Sequence, residues 1–398
     1  MKSKTYCTLL WNHIFVSPQG KTKPCCRFQA NSLQSDQPFD KAFLSTEWDQ
    51  IRSKMRIGEP VEGCRRCYQE EAAGKKSLRQ RYNHHPELGE HTVNLEQPKI
   101  SWLEIPFSNL CNLACRMCDS RYSTSWLRDE MKVKGKTKGE NRKILFDLET
   151  VLEIGSDLKH IKITGGEPLF DPRHENFLKG LVEQGSSKEI FLNYSTNLSL
   201  FPNQKIIDLW KEFSRVEVAL SLDSVDEKET HYMRYPHSKN VLSHTISFLK
   251  LANELGNISL ILRPTVSIFN VYSFPNLLLW WDRAVDEHVD LLNQNRIKAN
   301  PTHLTHPAYL SPTVLPKKKK IEIQSLYNQR RDSFSESLKK HLEYILKVTL
   351  SEDHSDLFPQ FIKESKKIDQ VRGQSLHETF PHLRMNNDSI NSSLEIEM

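Results

Sequence analysis

Eight cysteines stand in this chain of 398 residues, and they are clustered rather than scattered. Cys111, Cys115 and Cys118 occupy "CNLACRMC", a C-x3-C-x2-C spacing. Three thiolates on so short a loop can converge on one inorganic centre. Structural zinc takes four protein ligands and favours C-x2-C pairs, so the triplet suits it poorly. It suits a [4Fe–4S] cluster that lacks its fourth cysteine, which leaves one iron open to an outside ligand. The remaining five, Cys7, Cys25, Cys26, Cys64 and Cys67, all precede residue 70. "SPQGK" (17–21) can turn a hairpin between Cys7 and Cys25, and Cys64 and Cys67 form a C-x2-C loop. Four thiolates so placed close a site completely, and zinc competes with an iron–sulfur cluster for that pattern.

Polar groups recur where candidate strands end. "ITGGEPLF" (163–170) has Gly165 and Gly166, which allow close backbone approach and positive φ, and Glu167, which can accept a charge-assisted hydrogen bond from an ammonium. "NYSTNLS" offers Ser195, Thr196 and Asn197, either as ligand contacts or as a polar turn. "SLDSVDEKETHYMRYP" offers Ser221, Asp223 and Arg234; Asp223 reads equally well as a helix N-cap, and Arg234 as a partner for an internal acid. Asn270 is a weaker candidate.

Taken together, "CNLACRMC" followed by Gly-Gly-Glu-Pro resembles the radical S-adenosylmethionine (SAM) enzymes. The resemblance covers roughly residues 5–300, with motifs dense to about 235. An aromatic residue often precedes the last cysteine in that family, and Met117 stands there instead. The resemblance implies that Cys111, Cys115 and Cys118 hold a catalytic [4Fe–4S] cluster whose open iron is chelated by SAM. It implies that Gly165, Gly166, Glu167 and Pro168 hold the methionine amine, with Ser195, Asn197, Ser221, Asp223 and Arg234 as further SAM contacts. One-electron cleavage of SAM then yields a 5′-deoxyadenosyl radical that abstracts a hydrogen atom from a substrate.

The N-terminal spacing Cys7-x12-Gly20-x4-Cys25, a helix bearing Trp48, and Cys64-x2-Cys67 resemble the SPASM/twitch auxiliary module of the same family. This implies a second [4Fe–4S] cluster on Cys7, Cys25, Cys64 and Cys67, suited to electron transfer. The module usually follows the barrel; here it precedes it. Cys26 is spare on this reading, since adjacent residues rarely ligate one centre together, and a free cysteine usually behaves as a small buried hydrophobe.

The elements that would position these groups alternate. Candidate strands fall at 101–108, 160–165, 189–196, 215–222, 257–268 and 288–297, with candidate helices at 119–134, 145–155, 173–185, 203–213, 238–255 and 272–285. This is the pattern of a parallel sheet built from βαβ units, with chemistry at the C-terminal strand ends. The expected fold is α/β: a partial (β/α)6 TIM-like barrel (100–300) behind a Cys-rich auxiliary-cluster segment (1–83) and a linker (84–99). A C-terminal helical extension (301–373) and a polar, disordered tail (374–398) follow. One helix is expected over 39–55, and "KKKK" (317–320) reads as a solvated helix start.

Composition narrows the function. There are 55 basic and 50 acidic residues, a net charge of +5, too mild an excess to argue for nucleic acid. No apolar run is long enough to span a membrane and no signal peptide is evident, so a cytoplasmic protein is expected. No P-loop or dinucleotide fingerprint is present. The resemblance implies SAM and an electron donor such as flavodoxin or ferredoxin as partners. A peptide or protein side chain is the leading substrate by analogy, and a sugar or other small metabolite the alternative. A non-catalytic iron–sulfur or zinc-binding scaffold is the reading from another class.

Overall fold

A computed structural model describes residues 4–17, 20–29, 38–72, 74, 76–134, 147–236 and 239–384. Its organising element is a sheet of eight strands, seven of them mutually parallel. In chain order these are β1 (His13–Val16), β2 (Thr22–Lys23), β3 (Trp102–Pro106), β4 (His160–Thr164), β5 (Phe191–Thr196), β6 (Arg215–Leu220), β7 (Ile258–Leu262) and β8 (Ile297–Ala299). Their order across the sheet is β8-β7-β6-β5-β4-β3-β1-β2.

Period-two alternation gives the sheet two different faces. Leu103, Ile105, Ile161, Ile163, Leu192, Val216 and Val218 are buried in one apolar core with Phe177, Leu178 and Leu181 of the helix His174–Glu183. The opposite, inner face carries Trp102 and Glu104, His160 and Lys162, Phe191 and Asn193, Arg215 and Glu217, paired across the sheet in register. Lys162 Nζ donates to Glu104 Oε1 at 2.7 Å, and Asn193 Nδ2 donates to Glu217 Oε1 at 2.6 Å. One row below, Trp102, His160 and Phe191 stack with ring centroids 5.1 and 4.4 Å apart, Tyr82 packs tilted on Trp102 at 4.4 Å, and Arg215 lies 4.5 Å over Phe191. That stack floors the inner face.

The N-terminal segment continues the same sheet. Strand β1 pairs in parallel with β3, with His13 opposite Trp102 and Phe15 opposite Glu104, and β2 folds back on β1. The 39–55 helix is in fact two, Phe39–Phe43 and Thr46–Ile57, because Ser45 caps the second by accepting from Trp48 N. Trp48 Nε1 and Arg52 Nε both donate to Leu10 O, at 3.2 and 2.9 Å, fastening that helix to the chain just before β1. The stretch 84–99 is packed rather than a bare linker: Leu88 is buried, and its carbonyl accepts from Asn12 Nδ2 at 2.9 Å.

Three other expectations need correction. The sixth barrel strand lies at Ile297–Ala299 rather than 288–297; the preceding Leu291 and Leu292 are 85% and 90% exposed in a polar turn, so no apolar face is there to bury. Residues 374–384 of the expected tail are ordered, with Leu376, Phe380 and Leu383 anchored in the C-terminal core; 385–398 lie outside the described residues. "KKKK" does start a helix, with Lys317 and Lys318 exposed, but Lys320 is buried and reaches Asp353 at 3.1 Å. Among the described residues no helix is long and apolar enough to cross a membrane.

Helices Lys317–Arg330, Glu336–Ser351 and Phe358–Arg372 form the C-terminal layer. The last of them grips the cysteine loop. Arg372 Nε donates to Asp129 Oδ2 at 2.9 Å and its Nη2 to Ala114 O at 2.6 Å, while Arg116 pairs with Asp369. Replacing Arg372 by alanine leaves Asp129 buried without its cation. The expected cost is about 3–5 kcal/mol, the usual penalty for one partner of a buried pair. A urea titration of the purified chain measures it, and a loss below about 1 kcal/mol, the worth of a surface pair, would contradict this role.

Candidate functional site

The loop after β3 carries the three thiols. Cys111 N is held by Thr124 Oγ1 at 3.4 Å, and Ser125 Oγ donates to Cys111 O at 2.7 Å. Ala114–Cys115 forms a short antiparallel ladder with Arg234–Tyr235, and Trp126 Nε1 donates to Cys115 O at 2.7 Å. A turn bond from Cys118 N to Cys115 O, 2.9 Å, brings the last cysteine back beside the second. Burial, with the neighbouring Cys115 thiol, pushes the Cys111 thiol up to about 12. Burial also raises Cys115 and Cys118. A buried thiol that resists ionising alone is one whose proton leaves when a metal takes its place.

The Gly-Gly-Glu turn at the end of β4 is pressed directly against that loop. Gly165 and Gly166 have φ of 72° and 58°. A Cβ on Gly166 would meet Leu110 O at 2.4 Å, and one on Gly165 would meet the Pro106 Cβ at 2.7 Å, so no side chain fits at either position. Glu167 N donates to Leu110 O at 2.8 Å, and Gly166 N to Tyr122 O at 3.1 Å. Pro168 opens the short 3-10 turn that follows, where Leu169 N donates to Glu167 Oε1 at 3.2 Å.

Strand β5 adds the next contacts. Asn197 N donates to Glu167 Oε2 at 2.6 Å, and Asn197 Nδ2 lies 3.7 Å from Cys111 Sγ. One residue thus links the two, its backbone N–H on the carboxylate and its side-chain amide on a cluster-loop thiol. Glu167 is 1% exposed; burial raises its carboxyl to about 7, despite the opposing backbone hydrogen bonds from Asn197 and Leu169. An ammonium placed beside it would favour the charged form.

Ser195 lies on the inner face opposite Ala219 of β6, and Ser221 N donates to Thr196 O at 3.0 Å. Asp223 does not cap the next helix; Asp226 does. Asp223 instead accepts from Arg234 Nε at 2.8 Å and from Thr265 N at 2.8 Å, while Arg234 Nη1 lies 3.8 Å from Cys115 Sγ. Asn270 spends its amide on Asp223 O and Thr265 O, a brace rather than a ligand contact. The inner-face pair Glu104–Lys162 and the Arg116 and Arg372 clamp were missed from sequence. An acid inside the otherwise apolar "SWLEIPFS" was the one signal for the former.

The N-terminal cysteines meet as well. Cys7, Cys25, Cys64 and Cys67 line one pocket, with Arg27, Arg66 and Arg79 among its other walls. A side chain on Gly63 would strike the Phe28 ring at 2.4 Å, and Gln29 N donates to Gly63 O at 3.2 Å; these contacts dock the C-x2-C turn onto the loop after Cys25. Burial raises the Cys7, Cys25 and Cys64 thiols. Cys26 is exposed and lies outside that cavity, where the charges of Glu104 and Lys162 act on it, so it is not the buried hydrophobe expected. Among the described residues no three His, Cys, Asp or Glu side chains are grouped so as to hold a single metal ion.

Residues 105–270, which contain the cysteine loop, the Gly-Gly-Glu turn and strands β4–β7, match the Radical SAM superfamily model. That stretch is a Radical SAM superfamily domain. Curated relatives include the GTP 3′,8-cyclase of Campylobacter fetus subsp. fetus, 27% identical over 158 residues (39% of this chain, 44% of that protein). That of Aliarcobacter butzleri is 25% identical over 160 residues (40% and 44%). The chain thus spans less than half the length of these relatives. Among solved structures, anSMEcpe with bound AdoMet aligns at a TM-score of 0.35 and 18% identity, covering 60% of this chain and 61% of that one. Streptococcus suis SuiB aligns at 0.36 and 16%, covering 58% and 46%. The superfamily implies one [4Fe–4S] cluster and SAM as cofactors.

Proposed function

We propose that this chain is a radical SAM enzyme that reductively cleaves SAM and abstracts a hydrogen atom from a substrate, with a peptide or protein side chain as the leading class. The observation that carries the reading is the seat of the Gly-Gly-Glu turn on the cysteine loop, closed by Glu167 N on Leu110 O and by Asn197 between Glu167 and Cys111. Cys111, Cys115 and Cys118 would hold the catalytic cluster. When bound, the cluster and SAM supply one-electron cleavage of the sulfonium and hydrogen abstraction.

The chain's own residues bind and orient. Glu167 receives the methionine ammonium, and Gly165 and Gly166 let the backbone approach it without a side chain in the way. Pro168 fixes the turn behind Glu167. Arg234, held at Nε by Asp223 and with Nη1 beside Cys115 Sγ, would bring its charge to the SAM carboxylate. Ser195, Asn197 and Ser221 line the same strand ends as hydroxyl and amide partners. An electron donor such as flavodoxin or ferredoxin would supply the electron.

Cys7, Cys25, Cys64 and Cys67 would hold an auxiliary [4Fe–4S] cluster. Four sulfurs on one zinc lie about 2.3 Å from a common point, closer together than thiolates on separate corners of a cubane. Four thiols around one cavity can each take a separate corner of a cubane. Arg27 and Arg66 pair with Glu70 and Arg79 with Glu71, so the charges in these walls are largely balanced among themselves. A second substrate reading, a nucleotide or other small metabolite, is favoured by the likeness to GTP 3′,8-cyclases.

The test is direct. Anaerobically reconstituted protein, reduced with dithionite and given SAM, is expected to release 5′-deoxyadenosine and methionine. A fully reconstituted sample that releases neither would sink the enzymatic reading and leave the scaffold.

A further inference from the structure

The inner face of the sheet holds a cation without a counter-charge. Alternation along β7 puts Ser259 and Ile261 on the inner face, while Ile258, Leu260 and Leu262 are fully buried in the outer core. The next inner position, just past the strand end, is Arg263. Its backbone is fixed: Arg263 N donates to Leu220 O at 2.9 Å, and Pro264 follows. The other inner-face arginines are committed, Arg215 to Glu217 at 3.1 Å and Arg234 to Asp223 at 2.8 Å, and Lys162 is committed to Glu104 at 2.7 Å. Arg263 Nε is buried and has no hydrogen-bond partner, and no acid among the described residues pairs with its guanidinium. Its charge reaches the phenol of Tyr82, which packs on Trp102 in the floor of the inner face. Arg263 thus stands at the C-terminal end of β7, on the inner side of the sheet and level with the other strand-end groups.

A buried guanidinium N–H left unpaired is costly, and the planar fork of arginine matches the two oxygens of a carboxylate or phosphate. We propose that Arg263 anchors an oxyanion carried by the substrate, a carboxylate or a phosphate group, on the inner face of the barrel. The proposal rests on the radical SAM reading of the strand-end site, because the anchor gains its purpose from a reacting centre at the same strand ends. SAM itself is served elsewhere, by Glu167 and by Arg234, which is held between Asp223 and Cys115. The substrate is thus an anionic molecule or an acidic segment rather than an uncharged one, and the anchor sets which of its C–H bonds meets SAM.

The experiment uses the full reconstituted chain with SAM bound, titrated calorimetrically with tripolyphosphate as the phosphate probe and glutarate as the carboxylate probe. At least one probe is expected to bind one-to-one, with affinity falling about tenfold or more in Arg263→Gln and recovering partly in Arg263→Lys. Preference for tripolyphosphate assigns a phosphorylated substrate, and preference for glutarate a carboxylate. Wild-type protein supplies a second readout that needs no variant: the bound probe is expected to protect Arg263 from phenylglyoxal, read by peptide mass spectrometry. The proposal is overturned if neither probe binds, if binding is indifferent to Arg263→Gln, if Arg263 labelling is unprotected, or if the variant loses SAM affinity to the same degree. A wild type that binds a probe at Arg263 yet never releases 5′-deoxyadenosine would overturn the radical SAM reading and leave the anion site standing.

Discussion

Replacing Cys115 by alanine is expected to lower the iron content of the anaerobically reconstituted chain from about eight to about four atoms and to abolish 5′-deoxyadenosine release. Replacing Cys64 by alanine is expected to lower iron equally while leaving the electronic signature of a SAM-perturbed cluster in place. The asymmetry follows from the geometry. Cys115 sits in the ladder with Arg234 and beside Cys118, in the loop that meets the Gly-Gly-Glu turn. Cys64 belongs to a separate cavity shared with Cys7, Cys25 and Cys67. Three thiolates leave one iron open and four leave none, so only the first site can take an exogenous ligand. Electron paramagnetic resonance of the reduced protein with and without SAM separates the two sites. A wild type holding zinc without sulfide at the N-terminal site would remove the auxiliary cluster. Loss of the SAM-dependent signal in Cys64→Ala, with Cys115→Ala retaining it, would reverse the assignment.

The parts of this site that were legible in sequence are those made by neighbours in the chain. The C-x3-C-x2-C loop, the glycine pair and Glu167 announce themselves because a cluster and a close backbone approach each demand particular residue types within a few positions. Strand ends were legible for the same reason, since alternating apolar residues in β4, β5 and β6 locate them. What was not legible is held by distance. Arg372 reaches Asp129 and Ala114 across more than two hundred residues, and nothing in "KKIDQVRGQS" marks that arginine as a clamp. The parallel pairing of β1 with β3 joins segments almost ninety residues apart, so the cysteine-rich start read as a module of its own. Leu291 and Leu292 misled because apolar type was taken for burial; flanked by aspartate, asparagine and glutamine, they lie on the surface. Asp223 stayed ambiguous because a cap and an ion-pair partner look alike until Arg234 is seen beside it.

Glu167 gives the site a dependence on pH whose sign is fixed by the charges. Without SAM its carboxyl sits near 7, raised chiefly by burial, so below that value it is mostly protonated. The methionine ammonium favours the carboxylate, so binding SAM below pH 7 must release a proton. Affinity is therefore expected to rise with pH, by up to about tenfold per unit between pH 5 and 7, and to level off above. Replacing Glu167 by glutamine removes both the charge and the titration. At pH 8 the variant is expected to bind SAM about 10- to 100-fold more weakly, the worth of one hydrogen bond to a charged group. At pH 5.5, where the native carboxyl is neutral too, the difference should shrink to a few-fold, and the profile of the variant should be flat. Equilibrium dialysis of SAM across that range measures both curves. A native profile with no slope below pH 7 would place the ammonium away from Glu167, and the role of the Gly-Gly-Glu turn would reduce to bracing the cysteine loop.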